Sequence, residues 1–145
     1  MDLNQIHNRS WAILVARILL GLIFFMAGLW KVFTLGPVAH ALRLFVEPYA
    51  DTFLPTWSLW ATGTVIPIIE FVAGALLLIG LRTRLALLAL GGVLAVVTFG
   101  HLLANPLYEF HTHVIPRAAL LLFLLSMPAS EDRVSVDAWL TRRKN

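Results

Sequence analysis

Cysteine is absent from the 145-residue chain, so it supplies no disulfide, no thiolate ligand, no thiol nucleophile and no cysteine-bound cofactor. Charge is scarce as well. Asp, Glu, Lys and Arg together make up 13% of the residues, against about 25% in an ordinary soluble domain. The sequence has no phosphate-cradling glycine loop, no G-x-S-x-G elbow and no H-E-x-x-H helix. What is abundant is apolar: 59% of the residues are hydrophobic and the mean hydropathy is +0.83. A globule of this composition has too little polar surface to coat itself, which excludes a soluble enzyme, a disordered chain and a small secreted scaffold. The net charge of +3 does not point to nucleic acid. The basic residues stand at the ends of apolar runs, where anionic lipid headgroups at Arg82, Arg84, Arg142, Arg143 and Lys144 are the expected partners.

Four apolar runs are each close to the roughly 20 residues that a bilayer core requires. They cover residues 11–32, 59–81, 85–103 and 106–127. The first is too long for a cleaved signal sequence and carries Arg17 inside it. The fourth is read with an early start and Pro116 as an internal kink, because a start at Pro116 would leave only about 18 Å. The expected fold is therefore all-α, an integral membrane four-helix bundle forming a single domain over residues 1–145. If the N-terminus, the turn near residue 82 and the tail share one side, that side holds seven Lys and Arg residues. The other holds two, Lys31 and Arg43. This bias predicts that both termini are cytoplasmic. The long first outer loop predicts a short interfacial helix after Gly36-Pro37. The tail, residues 134–145, predicts an amphipathic helix capped by Ser135, with Asp137 in its first turn and Trp139 as an anchor.

Ionisable groups inside the spans are costly and mark candidate sites. Arg17, Gly21, Phe24, Gly28 and Lys31 follow one another at helical spacing on one seam. The glycines allow close approach of a second helix. Gly63, Pro67, Glu70 and Gly74 form a matching seam, and Pro67 frees the carbonyl of Gly63 as an acceptor. Gly91, Thr98, His101 and Asn105 share a face of the third run, and Arg117 lies in the fourth. Depth along the helix axes predicts that Glu70 is ionised and paired with Arg17, Arg117 or both, leaving Lys31 among the surplus cations. Such a pocket of Arg17, Lys31, Glu70, His101 and Arg117 suits an anionic or carbonyl-bearing ligand, and the competing reading is that the pairs only fix helix register. His40, His101, His111 and His113 fall on the outer side. His111-Thr112-His113, with Glu109 nearby, is a weak metal signal, and no metal is expected.

Three segments carry a family resemblance. The run from Ala16 to Lys31, ARILLGLIFFMAGLWK, resembles the first-helix signature of the DoxX family. The run from Glu70 to Arg84, EFVAGALLLIGLRTR, is similar to its second helix and following turn, and Ser135-Val136-Asp137-Ala138-Trp139-Leu140 to its closing motif. One departure is Pro128 to Arg133, where the family usually has a glycine-rich turn. The resemblance implies a four-helix protein of the bacterial inner membrane, with Arg17, Gly21, Gly28, Lys31, Glu70, Gly74 and Gly80 at signature positions. Gly80 thereby joins Gly21, Gly28, Gly63, Gly74 and Gly91 as an expected helix-packing residue. Family members include the small subunit of a thiosulfate:quinone oxidoreductase and a factor for methylamine dehydrogenase maturation, so membership does not fix activity. Three functions remain open. The first is a membrane subunit supporting a redox process, with a quinone or anionic small molecule as the possible ligand. The second is a non-catalytic assembly factor or anchor for partner proteins. The third is a small proton-coupled transporter, which the charge bias and the cations around Glu70 disfavour.

Overall fold

A computed structural model of the chain describes residues 8–105 and 110–143. Helix α1 (Asn8–Leu29) continues through a π-helical stretch, Trp30–Leu35. The outer loop holds α2 (Pro37–Ala41) and a second π-helical turn, Leu42–Val46. Helices α3 (Thr56–Ile79), α4 (Thr83–Ala104) and α5 (Phe110–Ser126) follow, and then a short 3-10 turn, Ala129–Glu131. The chain closes with α6 (Val136–Arg142). Among the described residues there is no strand.

The apolar runs form helices because nothing inside them competes for the backbone. Asn8–Leu35, Thr56–Ile79 and Thr83–Ala104 are each long and apolar enough to cross a membrane. The fourth helix is shorter, with 17 described residues, and contains Pro116 as the early start requires; residues 106–109 of the expected fourth span lie outside the described residues. The inward seams bury Ile13, Leu20, Phe24, Leu77, Leu87, Leu90, Leu121 and Leu124. Leu19, Met26, Val65, Val72, Leu88, Val96 and Leu122 point outward and are exposed. An apolar exterior on membrane-length helices is the surface of a multi-pass membrane protein.

Helices α1 and α3 touch backbone to backbone. A Cβ on Gly28 would sit 2.7 Å from Phe71 Cα, and one on Gly74 would sit 2.7 Å from Phe25 Cα. Beside this contact the Phe25 and Phe71 rings stack with centroids 5.2 Å apart. Gly21 is also tight, with Leu78 about 3.1 Å from its added Cβ, and Gly63 brings α2 onto α3 with Ala41 Cα at 2.6 Å. Gly91 departs from the packing expectation: an added methyl would meet Leu121 at 3.7 Å, an ordinary contact. Its helix has only Leu side chains to accommodate there, not a second backbone.

The turn between α3 and α4 is built from two residues at positive φ, Gly80 at 71° and Arg82 at 48°. Gly80 is thus a turn residue, and it is also closely packed, since an added Cβ would stand 2.6 Å from Ser135 Cβ. The strained Arg82 is held by the tail. The carboxylate of Asp137 accepts from the backbone N–H of Arg82 at 2.9 Å and of Thr83 at 3.0 Å, and Asp137 N–H donates to the Gly80 carbonyl at 2.9 Å. Asp137 therefore caps α4 from a distance. Ser135 does cap α6, accepting from Ala138 N–H at 3.2 Å. Nearby, Ser10 Oγ donates to the Glu131 carbonyl at 2.6 Å. The start of α1, the α3–α4 turn and the tail therefore meet at one end of the bundle, called here the terminal end.

Candidate functional site

Two polar centres are buried in the bundle, and they lie at different depths. At the terminal end Arg17 is 1% exposed. Its Nη1 donates to the Leu77 carbonyl at 2.8 Å and its Nη2 to the Val134 carbonyl at 2.6 Å. Its Nε lies 3.5 Å from Asp132 Oδ2. Burial pushes the Asp132 carboxyl up from the ordinary range, against the pull of the Arg17 charge. Gly80 leaves room for this guanidinium, since an added Cβ would stand 2.8 Å from Arg17 Cζ.

Arg17 does not pair with Glu70, contrary to the depth estimate. The Leu77 carbonyl, in the last turn of α3, is met only by the Gly80 N–H of the turn at 3.2 Å and has a second lone pair for Arg17 at its own level. Glu70 lies seven residues deeper on α3 than Leu77, roughly 10 Å along the axis. Its partner is Lys31, with Nζ 2.6 Å from Oε2, so Lys31 is not a surplus cation. Lys31 lies in the π-helical stretch that continues α1, and such stretches recur at functional sites.

Lys31 of this pair borders two adjoining cavities, and Glu70 borders the inner one. The inner one, about 250 Å³, is walled by Lys31, Glu70, His101 and Arg117 among apolar residues of α1, α4 and α5. The outer one, about 300 Å³, is lined by Lys31, His40, Tyr49, Ser58, Thr62 and His101, and otherwise by apolar residues that include Leu59, Ile66 and Phe99. Lys31, Val97 and His101 belong to both linings. Of the five residues expected in one pocket, the structure thus brings four together and places Arg17 in a separate cluster. The headgroup expectation also needs adjustment at Arg84, whose guanidinium donates to the Leu125 and Met127 carbonyls at the end of α5. In the tail, the Arg143 guanidinium stacks 4.4 Å over the Trp139 ring, and Lys144 lies outside the described residues.

His40 was legible only as one histidine of the outer side, and it proves to be central. It is 2% exposed, and its Nδ1 is 2.7 Å from the Gly63 carbonyl. That carbonyl is the one Pro67 leaves without a helical donor. The sequence signal for a donor here was the Gly63-x-x-x-Pro67 spacing itself. A carbonyl only accepts, so Nδ1 carries the proton. Burial pushes the His40 pKa down; the bond to Gly63 and the charge of Glu70 oppose this, and Lys31 reinforces it. The unfolded chain then binds the proton more readily than the fold does. Stability from neutral His40 is fully present above about pH 6.5 and is lost as pH falls below it. Melting in detergent should show a drop between neutral and mildly acidic pH that is smaller in His40→Asn. An equal drop in both proteins would mean that His40 does not carry it.

Among the described residues, no three His, Asp or Glu side chains come together as metal ligands. The side chains of His111 and His113, the weak metal candidates, and all of Glu109 lie outside the described residues.

Comparison with known proteins agrees with this architecture. Residues 12–102 match the family model described as DoxX, a span that holds α2, α3, most of α1 and α4, and the ion pair. No curated protein and no solved structure matches the chain.

Proposed function

The chain belongs to the DoxX family, and on that premise we propose that it is a membrane subunit of a redox assembly that holds a quinone-type head group beside the Lys31–Glu70 pair. The observation that carries this reading is the pair of adjoining cavities sharing Lys31 and His101. A quinone needs a flat apolar slot with a few donors for its carbonyls, and Lys31 and His101 can donate from apolar walls. Reduction of such a head takes two electrons, which a partner protein or its cofactor must supply, and two protons. Glu70 and His101 stand where protons could be exchanged. The basic terminal end faces the cytoplasm of a bacterial inner membrane, and Arg82, Arg142, Arg143 and Lys144 meet anionic headgroups there.

Solvent extraction of protein purified from membranes, followed by chromatography, should recover a quinone. A decyl-substituted benzoquinone should also quench tryptophan emission saturably. The double variant Lys31→Gln/Glu70→Gln removes both charges without leaving one buried alone. It should bind about tenfold more weakly, the loss of one charge-assisted hydrogen bond. Absence of both extracted quinone and saturable binding would reject the reading. A second reading, an anchor for soluble partners, is favoured by α6, which is fixed to the α3–α4 turn and exposes Trp139. Recovery of a stable partner whose retention is indifferent to the double variant would support it instead.

A further inference from the structure

Resting on the ligand reading above, we infer that the outer cavity, which His40 lines, selects a head group bearing a hydroxyl, the reduced form of its ligand, because the bond from Nδ1 leaves Nε2 as the ring's hydrogen-bond acceptor. The assignment follows from how the ring is held. Pro67 has no N–H, so within α3 the buried Gly63 carbonyl lacks a helical donor. His40 Nδ1 supplies one at 2.7 Å. The ring cannot retreat, because α2 is seated on α3 at Gly63, where Ala41 Cα would lie 2.6 Å from an added Cβ. With Nδ1 committed as a donor and the imidazole neutral, Nε2 carries a lone pair. Among the described residues none donates to it.

The neighbouring groups leave that role open to a ligand. The Ser58 hydroxyl donates to the Pro55 carbonyl at 2.7 Å and is committed there. Lys31 donates to Glu70, which lines only the inner cavity. A quinone carries acceptors alone, so its oxygen against Nε2 sets lone pair against lone pair. The corresponding hydroquinone turns an O–H toward Nε2 and can still present an oxygen to the remaining ammonium donors of Lys31. The cavity is therefore matched to a molecule with a donor at one place and an acceptor at another. A site made of donors alone would prefer the oxidised form.

The test uses the full chain in detergent with three probes of one shape. They are a decyl-substituted benzoquinone, its hydroquinone held reduced under anaerobic conditions, and the dimethyl ether of that hydroquinone. The hydroquinone should bind about tenfold more tightly than either of the others, the value of one hydrogen bond gained against one lone-pair clash. The variant His40→Asn keeps an amide N–H at the position of Nδ1 and has nothing at Nε2. Its preference should fall below about twofold while melting shows an intact fold. Equal binding of hydroquinone and ether by the unmodified protein would overturn the inference, and that comparison needs no variant. A preference that survives in His40→Asn would overturn it too. Binding of all three probes with equal affinity rejects the selectivity and leaves the ligand reading standing, whereas binding of none rejects both.

Discussion

Replacing Arg17 by methionine should be the most destabilising single change in the chain outside its apolar core, and it should act first on the tail. The guanidinium is the meeting point of three segments: α1, which carries it; the last turn of α3, through the Leu77 carbonyl; and the 128–137 segment, through Val134 and Asp132. Methionine fills much of the same space but donates nothing. The Val134 carbonyl then loses its donor, the Leu77 carbonyl keeps only the Gly80 N–H at 3.2 Å, and Asp132, which is 8% exposed, loses its counter-charge. Removing one partner of a buried pair costs about 3–5 kcal/mol. Denaturation in mixed micelles should show a loss of that order. Trypsin should cut after Arg133 earlier than in the unmodified protein, because α6 is released from the α3–α4 turn. Adding Asp132→Leu to Arg17→Met should return part of the stability, since no lone carboxyl remains to be buried. A variant as stable and as protease-resistant as the parent would show that the tail is held by Asp137 alone.

The same residue shows where sequence reasoning reaches its limit. Span positions, the glycine seams of Gly28 and Gly74, the Ser135 cap and the freed carbonyl of Gly63 are local properties, set by helical periodicity and by the chemistry of proline and serine. They could be read directly. The partner of Arg17 could not, because depth arithmetic considers only the helices. It treats the tail as an external anchor, whereas Asp132 and Val134 fold back under α3 and compete for the guanidinium at shorter range. Lys31 was misjudged for a related reason. The lysine continues the Gly28 seam that packs on Glu70, and depth arithmetic counted it as an edge residue although its long side chain reaches Glu70 at 2.6 Å. His40 was invisible as a site residue because α2 is local and its docking on Gly63 is not.

The second large effect belongs to Gly28→Ala, and it connects packing to the site. The added methyl would lie 2.7 Å from Phe71 Cα and 2.9 Å from the Glu70 carbonyl carbon, both parts of a helical backbone that cannot turn aside as a side chain does. Helices α1 and α3 must separate or shift, at a cost of about 1–3 kcal/mol for overpacking, offset by up to about 1 kcal/mol from the better helix propensity of alanine. Gly74→Ala faces the backbone of Phe25 in the same way and should behave alike. Gly91→Ala and Gly92→Ala should instead be neutral or stabilising, because the first meets only the Leu121 methyls at 3.7 Å or more and the second meets nothing within 4 Å. Thermal melting of the four variants in detergent should therefore divide them by sign, and four equal effects would show that helix propensity alone sets the outcome. Gly28 lies three residues before Lys31 on the same face, and the clash falls on the peptide of Glu70 itself. A shift of a few tenths of an ångström there lengthens the 2.6 Å contact between Lys31 and Glu70. Gly28→Ala should consequently weaken binding of the benzoquinone probe even under conditions where the variant remains fully folded, whereas Gly91→Ala should leave it unchanged. The close approach of α1 and α3 is on this account a requirement of the ion pair: the two glycines set the distance at which one lysine and one glutamate can meet inside the bundle.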